Sequence, residues 1–210
     1  MLHMVYWFLR QNIVSVNLQK GDLMKHLFAL ILISISTSVF AATSPTAPDY
    51  SMAGIEVGFK SNTASLNGSS SDKQETGFQL GLSGVFNISE KIGLKSGLFY
   101  SERPFSGEVG ATNTKGKVTY FEVPALLVFK FEDYAGAYVG PTLAIKMGDE
   151  VTPGALSGVK SILVPITFGA QFKFLPNIGA NFFFETVPGE IATGIENSRA
   201  VGVNLLFTLD

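Results

Sequence analysis

The chain is 210 residues long, carries a formal charge of −2 and contains no cysteine. Disulfide frameworks and thiol chemistry are therefore excluded, and a near-neutral balance without a basic cluster argues against a nucleic-acid partner. Both histidines, His3 and His26, precede residue 42, so beyond that point His-based metal sites, Ser-His-Asp triads and histidine general bases are excluded too.

The first predicted element is an export signal, Met24–Ala41. Lys25 with His26 makes a short basic start, Leu27–Ile35 an apolar run, and Val39-Phe40-Ala41 a small-residue cleavage pattern. The apolar run is about half of the roughly 20 residues that a spanning helix needs, which disfavours a retained anchor. Residues 1–23 lack a basic start, and QKGD interrupts them before Met24; they read as an upstream extension from a start codon placed too early. The mature chain is expected to begin at Ala42, with residues 42–51 as a linker and 52–210 as one domain.

From Met52 onward apolar residues recur with a period of two, which identifies strands. Met52–Lys60 sets Ala53, Ile55, Val57 and Phe59 against Gly54, Glu56, Gly58 and Lys60, and Ser61–Gln74 follows as a polar loop. Glu75–Phe86 sets Phe78, Leu80, Leu82 and Phe86 against Gly77, Gln79, Gly81 and Ser83. A tight turn, NISE, leads to Lys91–Arg103, where Ile92, Leu94, Leu98 and Tyr100 oppose Gly93, Lys95, Gly97 and Phe99. After a second long loop, Pro104–Lys117, the hairpin Val118–Lys146 turns at FEDY. Its first arm sets Phe121, Val123, Ala125, Leu127 and Phe129 against Tyr120, Glu122, Pro124, Leu126, Val128 and Lys130. Its second sets Ala137, Val139, Pro141, Leu143 and Ile145 against Tyr138, Gly140, Thr142, Ala144 and Lys146. A third long loop, Gly148–Gly158, precedes a strand over Val159–Phe174, then the turn LPN and a strand over Ile178–Thr186. The fourth long loop, Val187–Asn197, leads into the last strand, Ser198–Leu209.

These are eight strands whose connections alternate long and short. Several exceed the five or six residues, roughly, of an ordinary soluble strand. A soluble lipocalin-like barrel also has eight strands, but its large apolar residues must point inward and its other face must be wet. Here the opposite face is dominated by Gly, Ser, Thr, Asn, Gln and scattered charge, which suits the narrow interior of a small barrel and makes a poor apolar pocket. The predicted fold is therefore all-β, an eight-stranded antiparallel up-and-down transmembrane barrel with long loops outside and termini inside.

Pro124, Pro141 and Pro165 fall within three neighbouring predicted strands, and each lacks the N–H that a ladder uses. Pro124 and Pro165 take the inward register, where a bulge or an interior side chain can serve the partner carbonyl. Two readings stand: a tolerated irregularity of the wall, or a functional one such as a lateral opening or a shaped interior.

The runs YFEVPALLVFKF at Tyr120–Phe131, AYVGPTLAIK at Ala137–Lys146 and VPITFGAQFKF at Val164–Phe174 resemble the Bacteroidetes-type outer-membrane β-barrel domain, the small PorT-like or OmpX-like porin-family barrels. The resemblance extends over about Ser51 to Asp210. It implies location in the outer membrane, with lipid and the barrel insertion machinery as partners and, at the exposed loops, an envelope protein or surface ligand. Some relatives act in gliding or protein secretion.

The expected inward charges are Glu56, Lys95, Glu122, Lys130, Lys146, Lys173 and Glu185. Facing carboxylates can form a catalytic pair, yet the barrel proteases and phospholipases rely on a histidine that residues 42–210 do not have. Neither enzyme activity, nor a cofactor, nor a metal is expected. The charges read instead as an interior polar network of Glu56, Lys95, Glu122, Lys130 and Glu185 that plugs the lumen, with Glu122 paired to Lys95 or Arg103. A narrow path for small solutes is the alternative.

Overall fold

Side chains that alternate about the backbone demand an extended chain, and between Gly54 and Thr208 the chain is almost all strand. The computed structural model describes residues 52–109, 112–154 and 156–209; the signal, upstream extension and linker read in residues 1–51 lie outside the described residues. The strands in chain order are β1 (Gly54–Leu66), β2 (Ser69–Lys73), β3 (Glu75–Asn87), β4 (Ile92–Val109), β5 (Thr112–Glu132), β6 (Ala135–Thr152), β7 (Ile162–Leu163), β8 (Ile166–Leu175), β9 (Ile178–Thr186), β10 (Glu190–Ala192) and β11 (Ile195–Thr208). Eight of them, β1, β3, β4, β5, β6, β8, β9 and β11, pair antiparallel in that order, and β1 pairs with β11. The sheet thus closes into the expected eight-stranded barrel, and closure removes the free edges that hydrocarbon cannot tolerate. The remaining three are short additions on β4, β6 and β11.

Register then decides which side chains share the lumen. In β1 burial alternates residue by residue, with Glu56, Lys60 and Asn62 inside and Ile55 and Phe59 outside. Phe59, Leu82, Phe129, Phe168, Phe182, Val203 and Phe207 stay exposed on the outer wall. A continuous apolar belt of this extent has no place on a soluble monomer and matches the lipid-facing band of a spanning barrel.

The structure corrects the long loops. Ser61–Gln74 contains the end of β1 and all of β2, and Pro104–Lys117 holds the end of β4 and the start of β5. Gly148–Gly158 begins as β6, and Val187–Asn197 holds β10 and the start of β11. The cause is that ladders continue past the apolar belt, from Arg103/Val118 to Val109/Thr112, where Phe105 and Val118 are buried among small and polar residues. Period-two hydrophobicity vanishes there while backbone pairing does not.

Val159–Phe174 is likewise not one strand but β7 and β8 with a break at Val164–Pro165. The prolines explain it. Pairing of β4 with β5 skips from Ser96/Ala125 to Phe99/Glu122, beside Pro124. Pairing of β5 with β6 skips from Pro124/Thr142 to Leu127/Val139, beside Pro141. On β6, pairing with β8 stops at Pro141/Ile166 and pairing with β7 resumes at Ala144/Leu163, beside Pro165. Pro124 and Pro165 are buried inward, whereas Pro141 is exposed on the wall.

Inward aromatics are accommodated by glycines on adjacent strands. A Cβ on Gly202 would overlap the ring of Phe183, and one on Gly169 would meet the ring of Tyr138. Gly202→Val is accordingly expected to destabilise the barrel by about 1–3 kcal/mol through overpacking. In a Phe183→Ala background the same Gly202→Val change should cost much less, because the ring it overlaps is gone, read as the temperature at which gel migration in detergent shifts.

Candidate functional site

The lumen is filled in layers. At the end that carries the start of β1, the end of β11 and the tight turns, Met52, Leu126, Val128, Tyr138, Phe183 and Leu206 form an apolar base. At the far end Leu66, Phe105, Val118, Tyr120, Leu163, Ile191 and Ile195 belong to a second apolar cluster, against which Leu156 and Val159 pack. The loops over this cluster are tied together, because Lys160 N–H donates to the Ile191 carbonyl and Thr193 N–H to the Ser157 carbonyl. The expectation of an interior made mainly of small and polar residues therefore holds only between these two layers.

Two ionic clusters lie in between. In the one nearer the base, Lys95 Nζ on β4 meets Glu56 on β1 at 2.7 Å. Glu56 also accepts from the Ser83 hydroxyl and from Asn204 Nδ2 at 3.0 Å. Lys95 donates onward to Gln171 Oε1 at 3.2 Å and lies 5.0 Å above the Tyr138 ring. In the other, Arg103 on β4 spreads its fork, Nη1 to Glu185 on β9 and Nη2 to Glu122 on β5, both at 2.6 Å. Lys60 on β1 adds weaker contacts to the same carboxylates, 3.4 Å to Glu185 and 3.5 Å to Glu122. Arg103 also sits 5.7 Å from the Tyr120 ring. A planar guanidinium suits such a double contact as an ammonium does not. The two clusters hold Lys60, Lys95 and Arg103 against Glu56, Glu122 and Glu185, so the buried charges cancel.

Of the sequence-predicted residues, Glu56, Lys95, Glu122 and Glu185 all enter these clusters, with Glu122 against Arg103 and Lys95 committed to Glu56 instead. Lys130 does not join them. It sits by a tight turn and donates to Asn87 Oδ1 at 2.5 Å and the Ser89 carbonyl at 3.2 Å. Lys146 is at the far shoulder of the barrel, paired with Asp149 at 2.5 Å, and Lys173 is beside the turn that joins β8 to β9. Period two gives a residue's face but not its height, and these three lysines are at the ends of the lumen. Lys60 was missed although it shares the alternation of Glu56, and its full burial is the signal that completes the set. A cavity of about 40 Å³ lies between the two clusters, with Gln79, Phe99, Pro124, Leu126, Thr142 and Thr167 among its walls.

Beyond the apolar belt the hairpins carry outward ion pairs, Lys73–Glu108 at 2.6 Å, Lys117–Glu102 at 2.9 Å and Lys115–Glu75 at 3.3 Å. A hydrogen bond from Ser106 holds the Glu75 carboxyl below the usual carboxylate range, and Lys73 does the same for Glu108. A depressed carboxylate stabilises the fold above its unfolded pKa, and that contribution is lost as pH falls through the folded value. At such exposed pairs the effect is small.

A closed wall with an apolar outside and a filled, charge-balanced inside defines a small integral barrel of the bacterial outer-membrane type. The chain matches the outer membrane protein β-barrel domain over residues 40–187; it belongs to that family and resides in the outer membrane. No curated protein sequence matches it. Among solved structures it is similar to the Neisserial surface protein A (17% identity, TM-score 0.47), over 74% of this chain and 97% of that one. It is similar over the same shares to Ail, the attachment invasion locus protein of Yersinia pestis, solved in complex with the heparin analogue sucrose octasulfate (18% identity, TM-score 0.43). The N-terminal β-barrel domain of Pseudomonas aeruginosa OprF is another neighbour, at 13% identity and TM-score 0.32, covering 74% of this chain and 99% of that one.

In such barrels the tight turns face the periplasm and the long connections the outside. Single cysteines at Ser70, Gly154 and Thr193 should therefore react with an impermeant thiol reagent on intact cells, and one at Asn177 should not; Gly107 is buried in β4 and cannot serve as such a reporter. The reverse pattern would invert the barrel.

Proposed function

We propose that this chain is a non-conducting, non-catalytic barrel whose work is done outside, by presenting a protruding β-sheet to an envelope protein or a surface ligand. The observation that carries this reading is the contrast between the two halves. The lumen is filled from base to mouth by two apolar layers and a neutral ionic network, whereas β4, β5 and β6 continue past the belt as a paired sheet from Arg103 to Thr152. A sheet of that length is not needed to close the barrel. Lipid around the wall and the insertion machinery are the further partners this reading includes.

The test has two arms. In planar bilayers the purified barrel should show no steady single-channel openings; regular openings would favour the narrow-channel alternative. Shortening the β4–β5 hairpin beyond the Phe105/Gly116 pair to a tight turn should leave heat-modifiable migration intact, because Phe105 stays in the far apolar cluster and the apolar belt and the ionic clusters lie below the cut. The narrower Bacteroidetes-type kinship, and with it an accessory role in secretion or motility, rests on the run Tyr120–Phe131 and its companions. A co-purified secretion or motility component that is lost on hairpin shortening would favour that role.

A further inference from the structure

The three interruptions of pairing are not scattered. On β5 the unpaired positions are 123–124 toward β4 and 125–126 toward β6. On β6 they are 140–141 toward β5 and 143 toward Val164. They form one continuous diagonal seam through three adjacent ladders, with a proline at each step. Across the last step Thr142 N–H donates to the Pro165 carbonyl at 2.8 Å. Unpaired backbone facing hydrocarbon is costly, so a contiguous run of it is the place where local opening of the wall takes the least free energy.

Behind the seam lies the mid-lumen cavity, walled by Pro124, Leu126, Thr142 and Thr167. The apolar layers shut it off from both ends of the barrel. Gln79 Oε1 and Asn204 Oδ1 belong to residues that line it, and each is a buried acceptor with no donor among the described residues. The outer side of the seam offers Ala125, Pro141, Leu143 and Val164, exposed and apolar, with no aromatic among them. We propose that the seam is a lateral portal, which opens within the membrane and admits small uncharged molecules with a hydrogen-bond donor to this cavity. The route runs from the lipid phase through the wall and does not use the axis of the barrel, so it stands apart from the absence of conductance proposed above.

The experiment compares two buried, inward thiols in reconstituted vesicles. Thr142→Cys lies on the seam, and Ala200→Cys is inside intact ladders, where Ala200 pairs with both Asn62 and Glu185. N-ethylmaleimide, small and uncharged, should modify T142C about tenfold faster than A200C, as expected where local opening is easier. A charged methanethiosulfonate should modify neither. Adding Pro141→Ala and Pro165→Ala, which restores two ladder N–H groups, should bring the T142C rate down to that of A200C. Equal rates at the two positions, insensitivity to the prolines, or modification by the charged reagent would overturn the portal. If the proline variant does not show folded migration, amide exchange of the wild type decides instead. Leu126, Gly140 and Leu143 should exchange faster than Val201 and Val203, and equal protection would sink the proposal.

Discussion

Arg103→Met is expected to lower the stability of the barrel by about 3–5 kcal/mol, the cost of breaking a buried pair by removing one partner. Arg103 is the bolt across the lumen, linking Glu122 on β5 to Glu185 on β9 from its own place on β4, with both contacts at 2.6 Å. Without it two buried carboxylates share Lys60 alone, at 3.4 and 3.5 Å, and one negative charge is uncompensated. An exposed pair would cost only about 0–1 kcal/mol, so the magnitude itself reports whether the network is dry. The readout is the temperature of heat-modified migration in detergent. Glu122→Gln combined with Arg103→Met restores neutrality and should be milder than the sum of the single changes. Strict additivity would show a wet lumen in which the charges do not interact.

Lys95→Met is the second large effect, toward the upper part of the same range of about 3–5 kcal/mol. Glu56 would retain only the neutral donors Ser83 and Asn204, whereas the loss of Arg103 still leaves a cation in place. The pairing pattern makes a sharper forecast than the magnitude. Glu56→Gln should rescue Lys95→Met, since these two share the 2.7 Å contact. Glu122→Gln should not rescue it, and the two losses should add. Rescue by Glu122→Gln would mean that the two clusters exchange partners in the membrane.

How much of this was legible beforehand varies with the kind of information required. The wall was legible because Ile55, Phe59, Phe129 and Phe207 alternate with small or polar residues, and a period of two has only one geometric meaning. The closed eight-stranded order followed from the even count and the alternation of connections. The positions of Glu56, Lys95, Glu122 and Glu185 inside the lumen followed from the same parity. The far ends were not legible, because β2 is wet on both faces and the upper part of β4, where Phe105, Ser106 and Gly107 are buried in succession, carries no period of two. Their pairing is decided by the neighbouring strand.

Parity says that Lys95 and Arg103 both point into the barrel, but not that Lys95 meets β1 while Arg103 spans to β9. Nor does it separate Lys130, Lys146 and Lys173, which are at the ends, from Lys60, which is fully buried in the middle. Such pairings depend on the stagger between strands and on the curvature of the closed sheet, and a barrel acquires both only when its first and last strands meet. The prolines divide the same way. Each one's missing N–H can be read from the chain, whereas the alignment of three gaps into one diagonal seam exists only once β4, β5, β6 and β8 lie side by side. The sequence by itself thus determined the wall and its two faces, a local consequence of side-chain alternation. Only the tertiary structure decided which charges meet across the lumen, because contacts between distant strands are set by the register of the whole ring.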